Sequence, residues 1–288
     1  MEASILTLVR GRHTSLANLM AGIAAQSVHP KEVVIAYMQP EPFADLPDPG
    51  CPVQTLFIPG EPMPLALARN AAASAARSEL LVFLDVDCIA SPRLVASYLA
   101  AAERDAEGVF LGEVLYLPQG AVDGGIDYAR LDRLGRRHPA KPAMPDEGVR
   151  REPDHGELWG LSFAIRRICW DRIGGMDERF VGYGGEETDF ALRLAAAGIP
   201  LFWTADARAY HQHHAVHIPP LQQFDHILRN AGLFHARHGR WCMDYWLGQF
   251  RDAGFIDWRP DEGLIDIRRR PTPSEIEAAR QPGSVLYS

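Results

Sequence analysis

Short, nearly continuous apolar runs alternate with helically spaced segments through the N-terminal part of the chain. This alternation constrains the fold most. The runs are Ile5-Leu6-Thr7-Leu8-Val9, Val33-Val34-Ile35-Ala36, residues 53–58 and Leu80-Leu81-Val82-Phe83-Leu84. A strand without polar alternation is one covered on both faces, as in a parallel sheet wrapped by helices. Between the runs, Leu16, Leu19, Met20 and Ile23 fall at helical spacing, and residues 66–76 are rich in alanine. Ser91-Pro92 reads as N-cap and first residue of a further helix running to Glu103. The expectation is an α/β fold with a mostly parallel central sheet flanked by helices.

In such sheets ligands bind beyond the carboxyl ends of the strands. Two polar groups stand at those ends: Arg10-Gly11-Arg12 after the first run and Asp85-Val86-Asp87 after the fourth. Residues 119–154 are charged and rich in Pro and Gly, which predicts a long mobile loop, either a surface insertion or a lid. Residues 158–165 then read as a strand, 167–173 as a short helix, and 186–197 as a helix opened by Gly182-Tyr183-Gly184-Gly185. Strands are expected at 201–203 and 209–211. Helices follow around Phe224, Ile227, Leu228, Ala231 and Phe234, and over 241–250, with a polar tail from Arg268. The chain therefore divides into an α/β domain, 1–218, and a helical C-terminal extension with its tail, 219–288.

Composition narrows the function. With 288 residues, 47% hydrophobic and 23% charged, the chain can bury a large core. A formal net charge of −8 argues against nucleic acid as a partner, since that needs a basic face. Cys51, Cys88, Cys169 and Cys242 form no CxxC pair and read as reduced, mostly buried thiols. No apolar run approaches the roughly 20 residues of a membrane span, and no integral membrane segment is expected. The expected location is the cytoplasm, with a peripheral position at the membrane left open.

Asp85 and Asp87, at i and i+2, share one face of an extended segment, so both can converge on one hard cation. Burying two like charges is costly without a compensating cation or proton. A second constellation is Gly184-Gly185-Glu186-Glu187-Thr188-Asp189. Glycines let a backbone approach a ligand closely. Acids in a first helical turn complement the helix dipole, but three in four residues exceed that need, and one can act as a general base. Seven of the eleven histidines fall between residues 211 and 238. One or two neutral imidazoles there can complete the sphere begun by the aspartates. Arg69-Asn70 can face a donor diphosphate or solvent. Trp159 is either a sugar-stacking wall or a core aromatic.

These residues, in this order, resemble the GT-A-fold glycosyltransferases of family 2. The resemblance rests on the strand followed by Arg10-Gly11-Arg12, on Arg69-Asn70-Ala71, on Phe83-Leu84-Asp85-Val86-Asp87 and on Gly184-Gly185-Glu186-Glu187. It covers roughly residues 3–215. The segment 158–193 is similar to the galactosyltransferase region of β-1,4-galactosyltransferases, polypeptide N-acetylgalactosaminyltransferases and bacterial chondroitin polymerases. The resemblance implies a GT-A fold, a UDP-sugar donor, Mn2+ or Mg2+, and a glycan or other hydroxyl acceptor. Transfer of a hexose or N-acetylhexosamine with inversion is the favoured reaction.

By motif, the metal ligands would be Asp87 and Asp85 with a late histidine. His211 comes first; His213 shares its face by strand alternation, and His214 is a further candidate. Glu187 would be the base, standing where inverting galactosyltransferases carry an aspartate, and Glu186 would hold acceptor or donor hydroxyls. Donor contacts would come from Arg10, Arg12, Arg69, Asp85, Gly184 and Gly185, acceptor contacts from Trp159, Tyr183 and Glu186. The family often has Asp-Asp or Asp-Asn after the second strand to hold uracil, whereas this chain has Ala36-Tyr37-Met38. Base recognition would then fall to Arg10, Arg12 or Tyr37. Two other readings share these features: a nucleotidyltransferase, and a non-catalytic sugar-nucleotide or glycan-binding protein of the same fold.

Overall fold

The computed structural model describes residues 1–287. Strand β1 (Ala3–Val9) is followed by helix α1 (His13–Ala24), then β2 (Glu32–Tyr37) and β3 (Val53–Phe57). Helix α2 (Leu65–Ala75) leads into β4 (Leu80–Leu84), and a turn through 85–87 opens β5 (Cys88–Ala90). The middle of the chain holds α3 (Leu94–Arg104), β6 (Val109–Leu111), β7 (Val114–Tyr116), α4 (Tyr128–Leu134), β8 (Arg136–Arg137) and β9 (Val149–Glu152). Next come β10 (Ser162–Arg166), α5 (Arg167–Ile173), α6 (Glu186–Ala196), β11 (Leu201–Thr204) and β12 (Ala209–His211). The C-terminal part holds α7 (Phe224–His238), α8 (Asp244–Asp252), β13 (Ile256–Arg259), β14 (Leu264–Ile267) and α9 (Pro273–Ala278).

The main sheet has eight strands in the order β3-β2-β1-β4-β10-β6-β11-β9. It is parallel from β3 through β4 and again between β6 and β11; β10 and the edge strand β9 run against their neighbours. Both faces are covered, which explains the unbroken apolar runs. On β4, Leu80, Val82 and Leu84 pack into one core cluster with Leu16 and Leu19 of α1 and Val95 and Tyr98 of α3. Leu81 and Phe83 pack into the other, with Ala68 and Ala72 of α2 and Phe190 and Leu194 of α6. Each fully buried Leu or Phe contributes about 1.5–3 kcal/mol relative to exposure.

A second sheet, β5-β12-β7-β8, sits at the carboxyl end of β4. Its register sets His211 opposite Cys88, the residue after Asp87, and opposite Tyr116 on the other side. A late histidine and the aspartates of the fourth strand thereby meet.

Three expectations about the elements change. Helix α3 begins at Leu94 rather than Pro92, because Ser91 is still tied to the second sheet through its N–H to Arg208 O. The 119–154 segment is not an unbroken loop. It contains α4, capped by Asp127, as well as β8 and β9, which pair with β7 and β11. Its charged residues lie on sheet edges and exposed helix faces. The extension beyond 219 is not wholly helical: β13 and β14 form an antiparallel hairpin, and the polar tail contains α9 with a Thr272–Glu275 capping box.

Candidate active site

Asp85-Val86-Asp87 is a turn rather than an extended segment. Asp85 Oδ1 accepts from the Asp87 N–H at 2.8 Å, and Asp85 O accepts from the Cys88 N–H at 2.9 Å. The two carboxylates therefore diverge in role. Asp87, His211 and His214 each offer a ligand atom, and these atoms all lie within 4.8 Å of one another. Asp85 stands outside that group and organises the turn. His213 also stands outside it. Strand β12 ends at His211, so strand alternation no longer applies beyond it, and the following turn carries His214 back to the site.

The group's own chemistry suits a divalent cation. Asp87 is 6% exposed, and its Oδ1 is buried without a hydrogen-bond partner. An orphaned buried carboxylate oxygen is costly unless a cation meets it. Burial, reinforced by the neighbouring His214, pushes His211 down to about 4, so its ring is the neutral form that can ligate. Burial and the Asp87 charge push Asp85 up to about 6. One carboxylate with two imidazoles fits Mn2+ better than Mg2+, which favours oxygen ligands and keeps its waters. Arg12, whose Nε lies 3.4 Å from Asp87 Oδ2, is the cation already at this end of the sheet.

The second half of the site is built on α6. Gly184 and Gly185 both have positive φ, and Glu186 and Glu187 open the helix behind them. Arg69 of α2, 7% exposed, joins both glutamates: Nη1 donates to Glu186 Oε1 at 3.1 Å and Nη2 to Glu187 Oε1 at 2.7 Å. The Gly160 N–H donates to Glu187 Oε2 at 2.8 Å. Both oxygens of Glu187 are thus oriented, while its side chain stays 28% exposed. Glu186 is buried, and burial together with Glu187 raises its carboxyl above the usual range.

Several expected contacts are placed differently by these bonds. Arg69 is committed to the two glutamates and is not free to face a diphosphate. Tyr37 is 1% exposed and packs with Phe43 and Phe57, so its ring has no open face for a base. Arg10 pairs with Glu61 and donates to Gly60 O. The glycines of the turn are required by the chain itself. A Cβ on Gly184 would lie 2.5 Å from Met243 Sδ, and one on Gly185 would lie 3.0 Å from Phe180. Trp159 is half-buried, with Lys141 Nζ 3.5 Å over its ring and the His138 ring 4.9 Å away, so one face is already taken. Tyr183, 36% exposed, packs against Trp246 with the two rings tilted and their centroids 5.6 Å apart.

Other supports were not read from the sequence. Asn230 of α7 is fully buried and donates through Nδ2 to Val181 O, Tyr183 O and Gly184 O, which pins the glycine turn. Asp189 is fully buried and accepts from Arg193, Arg237 and His238, tying α6 to α7. Gly160 had no signal beyond its place next to Trp159. A Cβ there would lie 1.9 Å from Glu187 Oε1. Gly160→Ala is therefore expected to displace the carboxylate by an ångström or more and to slow turnover about 100-fold, with little change in melting temperature. Steady-state rates beside thermal denaturation check this.

Two family models match. One, described as glycosyl transferase family 2, covers residues 62–155; the other, described as the N-terminal domain of galactosyltransferase, covers 149–217. Together they span the Arg69 helix, the Asp85–Asp87 turn, the glutamate helix and the histidine turn. Over residues 62–217 the chain is thus similar to the glycosyltransferases of family 2 and to galactosyltransferases. Among curated relatives, validoxylamine A glucosyltransferase of Streptomyces hygroscopicus subsp. jinggangensis is 30% identical over 162 residues, 48% of this chain and 36% of that protein. The O-antigen biosynthesis protein RfbC of Myxococcus xanthus is 27% identical over 224 residues, 74% of this chain and 17% of that protein. The chain thus spans about a third or less of the length of the curated relatives it matches.

Among solved structures, GalNAc-T7 with UDP, GalNAc and Mn2+ superposes with a TM-score of 0.56 at 18% identity, over 74% of this chain and 44% of that one. Residues 1–349 of S. aureus TarS give 0.55 at 14% identity, over 88% and 72%. These likenesses show the GT-A fold. Among the described residues, no helix is long and apolar enough to cross a membrane.

Proposed function

We propose that this chain is a glycosyltransferase that moves a hexose or N-acetylhexosamine from a UDP-sugar to an acceptor hydroxyl, with a divalent cation and with inversion. The observation that carries the reading is the pairing of two sites at the carboxyl end of one sheet. One is the Asp87, His211 and His214 group with its orphaned carboxylate oxygen. The other is a Glu187 carboxylate oriented by Arg69 and Gly160. A structure of the same fold, GalNAc-T7, holds UDP, GalNAc and Mn2+; a TarS structure holds UDP.

When bound, the cation, Mn2+ for preference, supplies charge neutralisation for the leaving diphosphate. Asp87, His211 and His214 would hold it. Arg12, beside Asp87 and at the end of β1, adds a positive charge on the same side. Glu187 keeps one lone pair on each oxygen free of Arg69 and Gly160, and its exposed edge accepts the acceptor proton as the hydroxyl attacks the anomeric carbon. Attack from the face opposite the diphosphate gives inversion. Tyr183 and Trp246 wall the acceptor side, and Glu186, held by Arg69, fixes the start of α6 beneath the base.

Arg69 is the structural keystone of that arrangement. Arg69→Met leaves Glu186 and Glu187 without their cation, and breaking such a buried pair costs about 3–5 kcal/mol. Chemical denaturation is expected to show that loss. A stability within 1 kcal/mol of the parent chain, taken as about the worth of an exposed pair, would show that the glutamates are not held as described. The function itself is tested by incubating the chain with UDP-sugars and Mn2+ and following UDP release, with and without candidate acceptors.

A further inference from the structure

Between the two candidate imidazole ligands lies a residue that the reaction does not use. Gln212 is 5% exposed, and its backbone N–H and both ends of its side-chain amide are committed. Its N–H donates to Asp87 O at 2.7 Å. Its Oε1 accepts from Asn18 Nδ2 at 2.7 Å, and its Nε2 donates to Ser15 O at 3.2 Å. Gln212 therefore touches all three parts of the cation site at once: the Asp85–Asp87 turn, the His211–His214 turn and helix α1. None of these contacts is local in sequence, since Asn18 and Gln212 are 194 residues apart.

Helix α1 is itself anchored. A Cβ on its Gly22 would lie 3.0 Å from Ile89 Cγ2 and 3.2 Å from the Ala90 N, so the helix packs directly on the backbone of β5. The same helix follows directly on Arg12, its N-cap residue, whose guanidinium reaches Asp87. Helix α1 thus offers a fixed rail to which the histidine turn can be tied. His211 is already held by β5 and β7 through its backbone. His214 lies beyond the end of β12, with no ladder to hold it, and the Gln212 side chain is the first side-chain tie from that turn to the rest of the fold.

We infer that Gln212 and Asn18 form a brace that sets the cation affinity of the Asp87, His211 and His214 group. They are positioning residues: neither offers a ligand atom to the group, and both act through the backbone that carries the ligands. The inference rests on reading that group as a cation site. Outer partners that orient ligands typically change metal affinity by about 10–100-fold when removed. Each single truncation, Asn18→Ala or Gln212→Ala, breaks the same Asn18–Gln212 bond. The double variant therefore loses little more than the larger single one.

The test is Mn2+ binding to the full chain, read by the electron paramagnetic resonance of free Mn2+, with thermal denaturation alongside. Asn18 is half-buried on the helix surface, so Asn18→Ala is expected to fold. The expected result is a Mn2+ affinity about 10-fold or more below the parent for each single variant. The double variant should fall far short of the product of the two losses. Parent-like Mn2+ affinity in both folded single variants overturns the brace, as does a loss confined to melting temperature. Multiplicative losses also overturn it, because they deny the shared bond. A parent chain that binds no Mn2+ overturns the cation reading itself and the brace with it, an outcome distinct from the others.

Discussion

Glu187→Gln is expected to bind donor as the parent chain does and to transfer sugar about 100- to 10,000-fold more slowly, the usual share of a general base. The amide keeps the size of the side chain and an oxygen for Arg69, but it cannot take a proton from a hydroxyl. It also turns an NH2 toward the Gly160 N–H, which loses its acceptor. An unsatisfied donor of this kind costs about 1–3 kcal/mol, so stability must be followed separately. The decisive separation is between kcat and KM: kcat should collapse while the donor KM stays. Undiminished kcat would remove Glu187 from the reaction. Glu187 is one methylene longer than the aspartate at the matching position of inverting galactosyltransferases. The longer side chain brings its Oε2 within 2.8 Å of the Gly160 N–H, at a position with no room for a side chain of its own.

Asp87→Ala is expected to have the larger effect on donor binding. It deletes the one carboxylate of the cation group and leaves Arg12 without its partner. Loss of Mn2+ affinity should exceed the roughly 10–100-fold typical of an outer partner. UDP affinity measured with Mn2+ should then fall to its metal-free level. Asp85→Ala should differ. Asp85 accepts the Asp87 N–H that closes the turn, so its loss loosens the ligand without removing one. A weaker but still metal-dependent donor affinity is expected, and calorimetric titration with UDP in Mn2+ and in EDTA distinguishes the two variants.

The fold was legible where burial on both faces wrote itself into the sequence. Strands β1, β2 and β4 have no polar alternation because helices cover both sides, and the ligand end of the sheet follows from their direction. Residues 119–154 misled because short edge strands and a surface helix carry the same charged, Pro- and Gly-rich composition as a loop. The α9 capping box was present as Thr272-x-x-Glu275 and marks the helix inside the polar tail.

At the site, residue types were legible but partners were not. Asp85 and Asp87 look equivalent in sequence. They separate only because one carboxylate folds back on the turn while the other faces two histidines. His213 was favoured by alternation, which holds within a strand and fails one residue beyond its end. Arg69, Asn230, Asp189 and Gln212 act across long sequence separations, and no local pattern announces such bonds. Tyr37 shows the reverse error: an aromatic at a ligand-facing strand end was buried by Phe43 and Phe57, residues from the loop and strand that follow.

The proposed activity is transfer of a sugar from a nucleotide diphosphate under the control of the Asp87 group. It is tested most directly by incubating the parent chain and Asp87→Ala with a panel of nucleotide sugars, in Mn2+ and in EDTA, without acceptor. Slow nucleoside diphosphate release, from UDP-sugars above others, should appear with the parent chain in Mn2+ and vanish with EDTA or Asp87→Ala. Release of pyrophosphate would instead make the chain a nucleotidyltransferase. Tight Mn2+-dependent binding of a nucleotide sugar with no release, even when acceptor glycans are added, would contradict the account by making it a binding protein.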